Sequence, residues 1–375
     1  MGELEAAVAC ASRAVALAPQ AASWHAVLGT ALRSSGQLEA AIDAYNRAET
    51  LSPHDPRIAW NRALAYLAAH DFERGLPAYE SRRQRAEHKA LPMPVWTQGA
   101  PPEQGVLVHC EQGFGDTLQW ARFLPRLSRQ TRRVVVAAPG RLMAMLRSVQ
   151  GVSAVVSKAA ARTDTALAEL GCAAHVGLMS LGALLGEDGS SLAEELPLWT
   201  PSAAQRAAHA SPGSRRIALC WQGNPAYERD HLRSPPLVHF EPIVARAAAA
   251  GISVVSLQKV HGLDQLSKAT GALADVPDLG AQLDTGPDAF VDTAAVMAAA
   301  DLVITSDTAT AHLAGSLPTQ TWLLLSRPAD WRWGHEPDAT PWYPQMRVFR
   351  QPTGGDWPSL FQCVDRALSA WIGAL

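Results

Sequence analysis

Val106-Leu107-Val108-His109-Cys110-Glu111-Gln112-Gly113-Phe114-Gly115-Asp116-Thr117 is the stretch that decides the fold. A short apolar run passes into a glycine-containing turn, and a carboxylate stands where a helix should begin. A second junction of this kind lies at Leu302-Val303-Ile304-Thr305-Ser306-Asp307-Thr308-Ala309-Thr310-Ala311-His312. Two such junctions, one in each of two α/β halves, predict a ligand held across a cleft. Ligands of open α/β sheets sit beyond the carboxyl ends of the strands. An enzyme is the expected class.

Outward from these junctions, strands and helices alternate from Gly105 onward. The first half reads as a strand over 106–110, a helix over 117–129, a strand over 134–138 ended by Pro139-Gly140, and helical spacing over 142–149. Apolar runs near Val155 and at His175-Val176 extend the sheet, and 197–212 reads as a connector. The pattern then restarts with a strand over 217–220, a loop over 221–236, a helix over 240–250 and a strand over 253–257. A helix over 293–300, a strand over 302–305, a helix over 310–316, a strand over 321–325 and a final helix over 358–372 complete it. Alternation of this kind predicts parallel sheets covered on both faces.

The front end repeats itself. Gly2-Glu3-Leu4-Glu5-Ala6-Ala7 returns as Gly36-Gln37-Leu38-Glu39-Ala40-Ala41, an offset of 34 residues, and Pro19 returns as Pro53. A weaker third copy sets Phe72 on Leu38 and Tyr79 on Tyr45. Each unit is a helix pair that must stack on its neighbours to bury its apolar face. The first unit holds only its second helix: either more repeats precede it, or its first helix fails to match. Helical periodicity ends after Arg85, where Leu91-Pro92-Met93-Pro94-Val95-Trp96 and Gly99-Ala100-Pro101-Pro102 read as linker. The expected domains are repeats over 1–88, a linker over 89–103, α/β halves over 104–200 and 201–356, and a closing helix over 357–375.

A chain of 375 residues has room for two or three cores. The formal net charge of −3 gives no reason to expect nucleic acid or an anionic membrane as partner. Five scattered cysteines lack metal-type pairing and read mostly as buried thiols in a reducing compartment. There is no apolar run of bilayer-spanning length and no signal-peptide pattern, so a cytoplasmic protein is expected.

The Ala-rich helices, small packing residues and closing prolines resemble tetratricopeptide repeats. The remainder resembles the heptosyltransferase-like glycosyltransferases of family 9. The pieces that carry this likeness are Glu111 to Trp120, Trp221-Gln222-Gly223-Asn224, Arg233-Ser234-Pro235 and Ser306 to Gly315, strengthened by Trp331-Arg332-Trp333 and Pro341-Trp342-Tyr343-Pro344. The resemblance implies the GT-B architecture of two Rossmann-like domains, with acceptor entering the first and nucleotide sugar held mainly by the second. It also implies inversion at the anomeric carbon with neither a required metal nor a cofactor.

Transfer from such a donor needs a base for the acceptor hydroxyl and groups to hold the leaving diphosphate. Asp116 matches the family's proposed base, although aspartate also suits a helix start. Predicted nucleotide contacts are Gly115, Trp221, Gly223, Asn224, Arg233, Gln258, Asp307, Thr308, Ala309 and His312. Helix-start amides after Ser306 suit a diphosphate, and His312 lies one turn beyond Thr308. Each also has a plainer use: Asp307 as a cap, Gly223-Asn224 as a turn, His312 as a core residue. Arg233 suits bidentate phosphate binding, with Arg229 and Lys259 nearby; Asp292-Thr293 reads as a cap, a nucleotide contact or both. Five tryptophans from Trp322 to Trp357 read first as core and second as sugar platform.

Two departures keep the donor unnamed. Leu232-Arg233-Ser234-Pro235 stands where relatives often carry Lys-Arg before Trp-Pro, and Asp307-Thr308-Ala309 replaces Asp-Thr-Gly. The expected function is glycosyl transfer to a protein or peptide chosen by the repeats, since a helical-repeat groove grips peptide better than a lipid-linked glycan. The alternatives are a lipopolysaccharide-type sugar transferase and an inactive interaction scaffold.

Overall fold

The computed structural model describes residues 2–84, 91–162, 169–210, 213 and 215–374. The boundary expected after Arg85 and the start of the linker lie outside the described residues, as do the last two positions of the 197–212 connector. The chain forms two compact units: Met1–Leu91 with Gly182–Leu192 and Pro328–Glu336, and Pro92–Leu181 with Ala193–Arg327 and Pro337–Leu375.

The first unit is helical, with helices Gly2–Leu17, Ala22–Ser35, Leu38–Leu51, Pro56–Ala68 and Phe72–Tyr79. Local chemistry sets their ends. Gly36 closes the second helix with φ 86°, and the Asp55 and Asp71 carboxylates accept the amides of Arg57 and Arg74 at the starts of the last two. Leu32, Ala41, Ile42, Tyr45, Ala65 and Tyr66 make one buried cluster, so the repeated positions are the stacked ones. Tyr79, the third-copy counterpart of Tyr45, stacks on Trp60 with ring centroids 5.1 Å apart.

Two pieces of distant sequence complete this unit. Trp331–Trp333 is a short 3-10 turn started by Asp330, whose carboxylate accepts the Arg332 amide at 3.1 Å. It contacts helix Pro56–Ala68, and the Trp331 ring lies 5.5 Å from that of Tyr79. Trp331 is 6% exposed and Trp333 0%. Within Gly182–Leu192, the buried Glu187 carboxylate accepts the Gly189 amide and the Ser191 hydroxyl, both at 2.7 Å.

The second unit holds both α/β halves. In the first, β1 (Val106–His109), β2 (Val134–Ala138), β3 (Ala154–Ser157) and β4 (Ala174–Gly177) form a parallel sheet in the order β3-β2-β1-β4. In the second, β5 (Arg216–Cys220), β6 (Ser253–Ser256), β7 (Leu302–Ser306), β8 (Thr321–Leu325) and β9 (Met346–Arg350) run parallel in the order β6-β5-β7-β8-β9. Central strands are apolar and buried end to end, as sheets covered on both faces require.

The structure departs from the sequence reading in several places: the loop expected over 221–236 holds the short helix Asp230–Arg233, and only Cys110 and Cys220 of the five cysteines are buried. The helix expected over 117–129 is two helices, Phe114–Trp120 and Phe123–Ser128. Pro125 has no N–H for the Ala121 carbonyl four residues back; that carbonyl takes the Leu124 amide at 3.0 Å instead, and the chain turns there. The connector holds a helix, Ala203–His209, begun by a reciprocal Ser202–Gln205 capping box. Strand β9 was not expected: it is an edge strand, and exposed Arg347 interrupts its apolar run. The final helix, Trp357–Gly373, shares a core with Ile217, Ile304 and Trp322 through Trp357, Leu360, Phe361, Val364 and Leu368, the spacing of one helical face.

Burial pushes the Cys110 thiol up to about 12 and the Cys220 thiol up to about 11, whereas Cys10 and Cys363 are exposed. Thiolate is the reactive form, so both buried groups stay inert near neutral pH. A chromogenic disulfide reagent should label Cys10 and Cys363 rapidly in the native protein. Cys110 and Cys220 should react only after denaturation; their labelling at the native rate would contradict this core.

Candidate active site

Each sheet has a point where strand order reverses, and there the loops beyond adjacent strands part to leave a crevice. In the first half it lies between β1 and β4, in the second between β5 and β7. The two sequence junctions are the loops after β1 and β7.

After β1, Gly113 is extended and helix Phe114–Trp120 begins. The Asp116 carboxylate accepts the Gly113 amide at 3.1 Å, and the Thr117 hydroxyl donates to the Gly113 carbonyl at 3.0 Å. Asp116 is thus partly exposed and held by its own turn. Glu111 carries a second carboxylate at the same crevice, which accepts the Met179 amide at 3.0 Å. A Cβ on Gly177, the last residue of β4, would collide with that carboxylate, so only glycine leaves it room.

After β7, Thr308 is extended and helix Ala309–Gly315 begins. The Thr308 and Thr310 hydroxyls lie 2.6 Å apart, and Thr310 reaches Thr305 at 2.8 Å. Asp307, Thr308 and Ala309 are partly exposed. His312 is 5% exposed, with Nδ1 2.9 Å from the Tyr343 hydroxyl.

The two junctions meet. A Cβ built on Gly115 would lie 3.1 Å from His312 Cδ2 and 3.4 Å from the Ala309 Cα, so the glycine lets the Asp116 turn approach the His312 helix. Phe114 meets Phe290 edge-on at 6.0 Å, and the Arg141 carbonyl accepts the Ala289 amide at 2.7 Å. The helix that carries Asp116 therefore packs directly on the helix that carries His312.

The loop after β5 is tightly organised. Gln258, 2% exposed, accepts the amides of Trp221 and Gln222 at 2.9 Å and donates to the carbonyls of Gln222 and His261 at 2.9 and 2.7 Å. Its amide is spent on fixing this loop. Trp221 is fully buried, the Gly223 amide donates to the Ser234 hydroxyl at 2.9 Å, and the Asn224 side chain accepts the Ala226 amide in an exposed turn. Arg233 pairs with buried Asp230 at 3.0 Å and lies 4.4 Å over the exposed Tyr227 ring. Its guanidinium is part-exposed at the loop's rim.

Other polar neighbours are committed to structure. Lys259 donates to the carbonyls of Gly280, Leu283 and Asp284. Asp292 and Asp284 accept each other's amides at 2.9 and 2.8 Å, and Thr293 donates to Asp284 at 2.5 Å. The five late tryptophans are all buried, so they serve as core. Sequence reasoning assigned no role to Glu111, Tyr343 or Arg122, although Glu111 lay in the first junction and Tyr343 in the quoted Pro341-Trp342-Tyr343-Pro344; nothing local marks Arg122.

Residues 29–69 match the family described as TPR repeat. Protein FlbA of Caulobacter vibrioides is 25% identical over 377 aligned positions, covering 89% of this chain and 59% of that protein. The chain thus spans less than two thirds of that relative's length. Among solved structures, E. coli ADP-heptose LPS heptosyltransferase II superposes with TM-score 0.51 at 18% identity, over 72% of this chain and 98% of that one. The glycosyl transferase family 9 structure from Veillonella parvula superposes with TM-score 0.50 at 11% identity, over 74% and 100%. The chain thus joins a segment that matches tetratricopeptide repeats to two parallel sheets that share the GT-B-like fold of these glycosyltransferase structures.

Proposed function

We propose that the chain is an inverting glycosyltransferase that moves a sugar from a nucleotide-diphosphate donor to an acceptor hydroxyl without a required metal or cofactor. The observation that carries this reading is the approach of the Gly115-Asp116 turn to Ala309 and His312 across the crevice. A base on one wall and donor-holding groups on the other are what single displacement needs. The acceptor hydroxyl gives its proton to the Asp116 carboxylate as its oxygen bonds the anomeric carbon, and the bond from that carbon to the nucleoside diphosphate breaks. Gly115, Thr308, Ala309 and His312 line the diphosphate side; Asp307 lies beside them. The Gly223-Asn224 turn, held by Ser234 and Gln258 with Trp221 in the core beneath it, is the nucleotide side, and the part-exposed Arg233, paired with Asp230, stands at its rim.

The acceptor is a protein or peptide met by the repeats. Trp24 and Val27, 43% and 47% exposed and three residues apart on helix Ala22–Ser35, support this, because neighbouring apolar side chains in water mark contact surfaces. The second reading is a lipopolysaccharide-type acceptor, LPS being part of the name of the E. coli enzyme. Incubating the enzyme with labelled donor and separated protein and lipid fractions distinguishes the two.

The direct test of the donor site is thermal stability against a panel of nucleoside diphosphates and nucleotide sugars. A ligand at ~100 times its dissociation constant adds roughly 2.7 kcal/mol to the folded state. One nucleotide should raise the melting temperature of the wild type and not of His312→Ala. A panel without effect on the wild type would leave the chain as an interaction scaffold.

A further inference from the structure

His312 does not face the crevice unaided. Tyr343, 0% exposed, places its hydroxyl 2.9 Å from Nδ1, on the side of the ring away from the Cδ2 corner that meets Gly115. Arg122, at the break between the two helices of the first half, lies 4.7 Å over the Tyr343 ring and 5.1 Å over that of Trp342. Its guanidinium donates to the Trp342 and Gln119 carbonyls, both at 2.8 Å. Arg122 is itself buried, so its charge acts on the ring with little screening by water.

We propose that Tyr343 is a positioning residue that sets the tautomer of His312. Its phenol donates to Nδ1, which keeps the proton on Nε2, the ring atom next to the Cδ2 that meets Gly115. In that form His312 presents a donor to an anionic ligand; in the other tautomer the same corner presents a lone pair, which a phosphoryl oxygen repels. Arg122 over the ring favours negative charge on the phenol oxygen as its proton is shared, and so strengthens the donation. Because Arg122 belongs to the first half while Tyr343 and His312 belong to the second, closure of the crevice and orientation of the histidine are tied together. The ligand's identity rests on the donor-site reading above; the tautomer does not.

The test separates the two. Nitrogen-15 spectra of histidine-labelled protein at pH 8, with the His312 signals among the 12 histidines assigned by His312→Gln, report which ring nitrogen carries the proton. The wild type should show Nε2–H, and Tyr343→Phe, which keeps the ring and loses the hydroxyl, should show a mixture. Affinity for ADP, UDP or GDP, whichever binds, should fall about tenfold in Tyr343→Phe, the scale of one oriented hydrogen bond. A proton on Nδ1 in the wild type, or an unchanged tautomer in Tyr343→Phe, overturns the proposal. Should Tyr343→Phe not fold, the wild-type spectrum alone still decides. The expected tautomer change without binding of any diphosphate would uphold the role of Tyr343 and overturn the donor site instead.

Discussion

Asp116→Asn should lower turnover by about 10²- to 10⁴-fold, the span general-base catalysis contributes, while nucleotide affinity and melting temperature stay near wild type. The substitution separates the two uses of this carboxylate. It accepts the Gly113 amide at 3.1 Å, and an asparagine carbonyl oxygen can take the same hydrogen bond. What asparagine cannot do is take the acceptor's proton. Asp116→Ala loses both and should add a stability cost of about 0.5–2 kcal/mol, the scale of a lost cap. Turnover rates of the two variants with one acceptor, set beside their melting curves, resolve the question. An asparagine variant as active as the wild type would reduce Asp116 to a helix-start residue.

The second large effect concerns the repeats. Deleting residues 1–91 to test acceptor recruitment should yield an aggregating product, not a clean transferase. Trp331 and Trp333 are buried in a turn that packs on helix Pro56–Ala68, and removing the helices strips Trp331 of its Tyr79 neighbour and the turn of its support. Burial of one large apolar side chain is worth about 1.5–3 kcal/mol, and two exposed tryptophans on one short segment invite association. In the intact chain, Trp333→Ala should cost about 3–5 kcal/mol, the range for emptying a buried aromatic position. Chemical denaturation of that variant and size-exclusion chromatography of the deletion give the answer. A monodisperse deletion with wild-type melting behaviour would mean that the segment needs no repeat to bury it. Recruitment is better tested by polar substitution of Trp24 and Val27, which are already exposed.

Most strands were legible because sheets covered on both faces demand continuous apolar runs such as Val134-Val135-Val136 and Trp322-Leu323-Leu324-Leu325. The repeats were legible because stacking demands the same residues at each step, as Tyr45 and Tyr79 demonstrate. Strand β9 was hidden by the exposed arginine of an edge position. The break at Ala121 was missed although Pro125 implies it by hydrogen-bond accounting, whereas Tyr343 and Arg122 come together only through tertiary contact, Arg122 with Trp342 across 220 positions of sequence. Gln258 and Lys259 expose the ambiguity of polar residues at a strand's end: a group aimed at a cleft and a group tying down a loop look alike until its partners are known. The same limit governs Trp331-Arg332-Trp333, whose neighbours in sequence are the strands β8 and β9 and whose structural unit is the repeats.

That membership has a consequence for how the protein is made. Leu91 and Pro328 lie 237 residues apart, yet both belong to one compact unit. At a synthesis rate of ~5–20 residues per second, the helices wait roughly 10–50 s on the ribosome for their last piece. Throughout that interval Trp60 and Tyr79 lack the Trp331 turn that packs beside Tyr79. The helices are thus translated well before the segment that completes them, and for that interval their aromatic face stands unfilled.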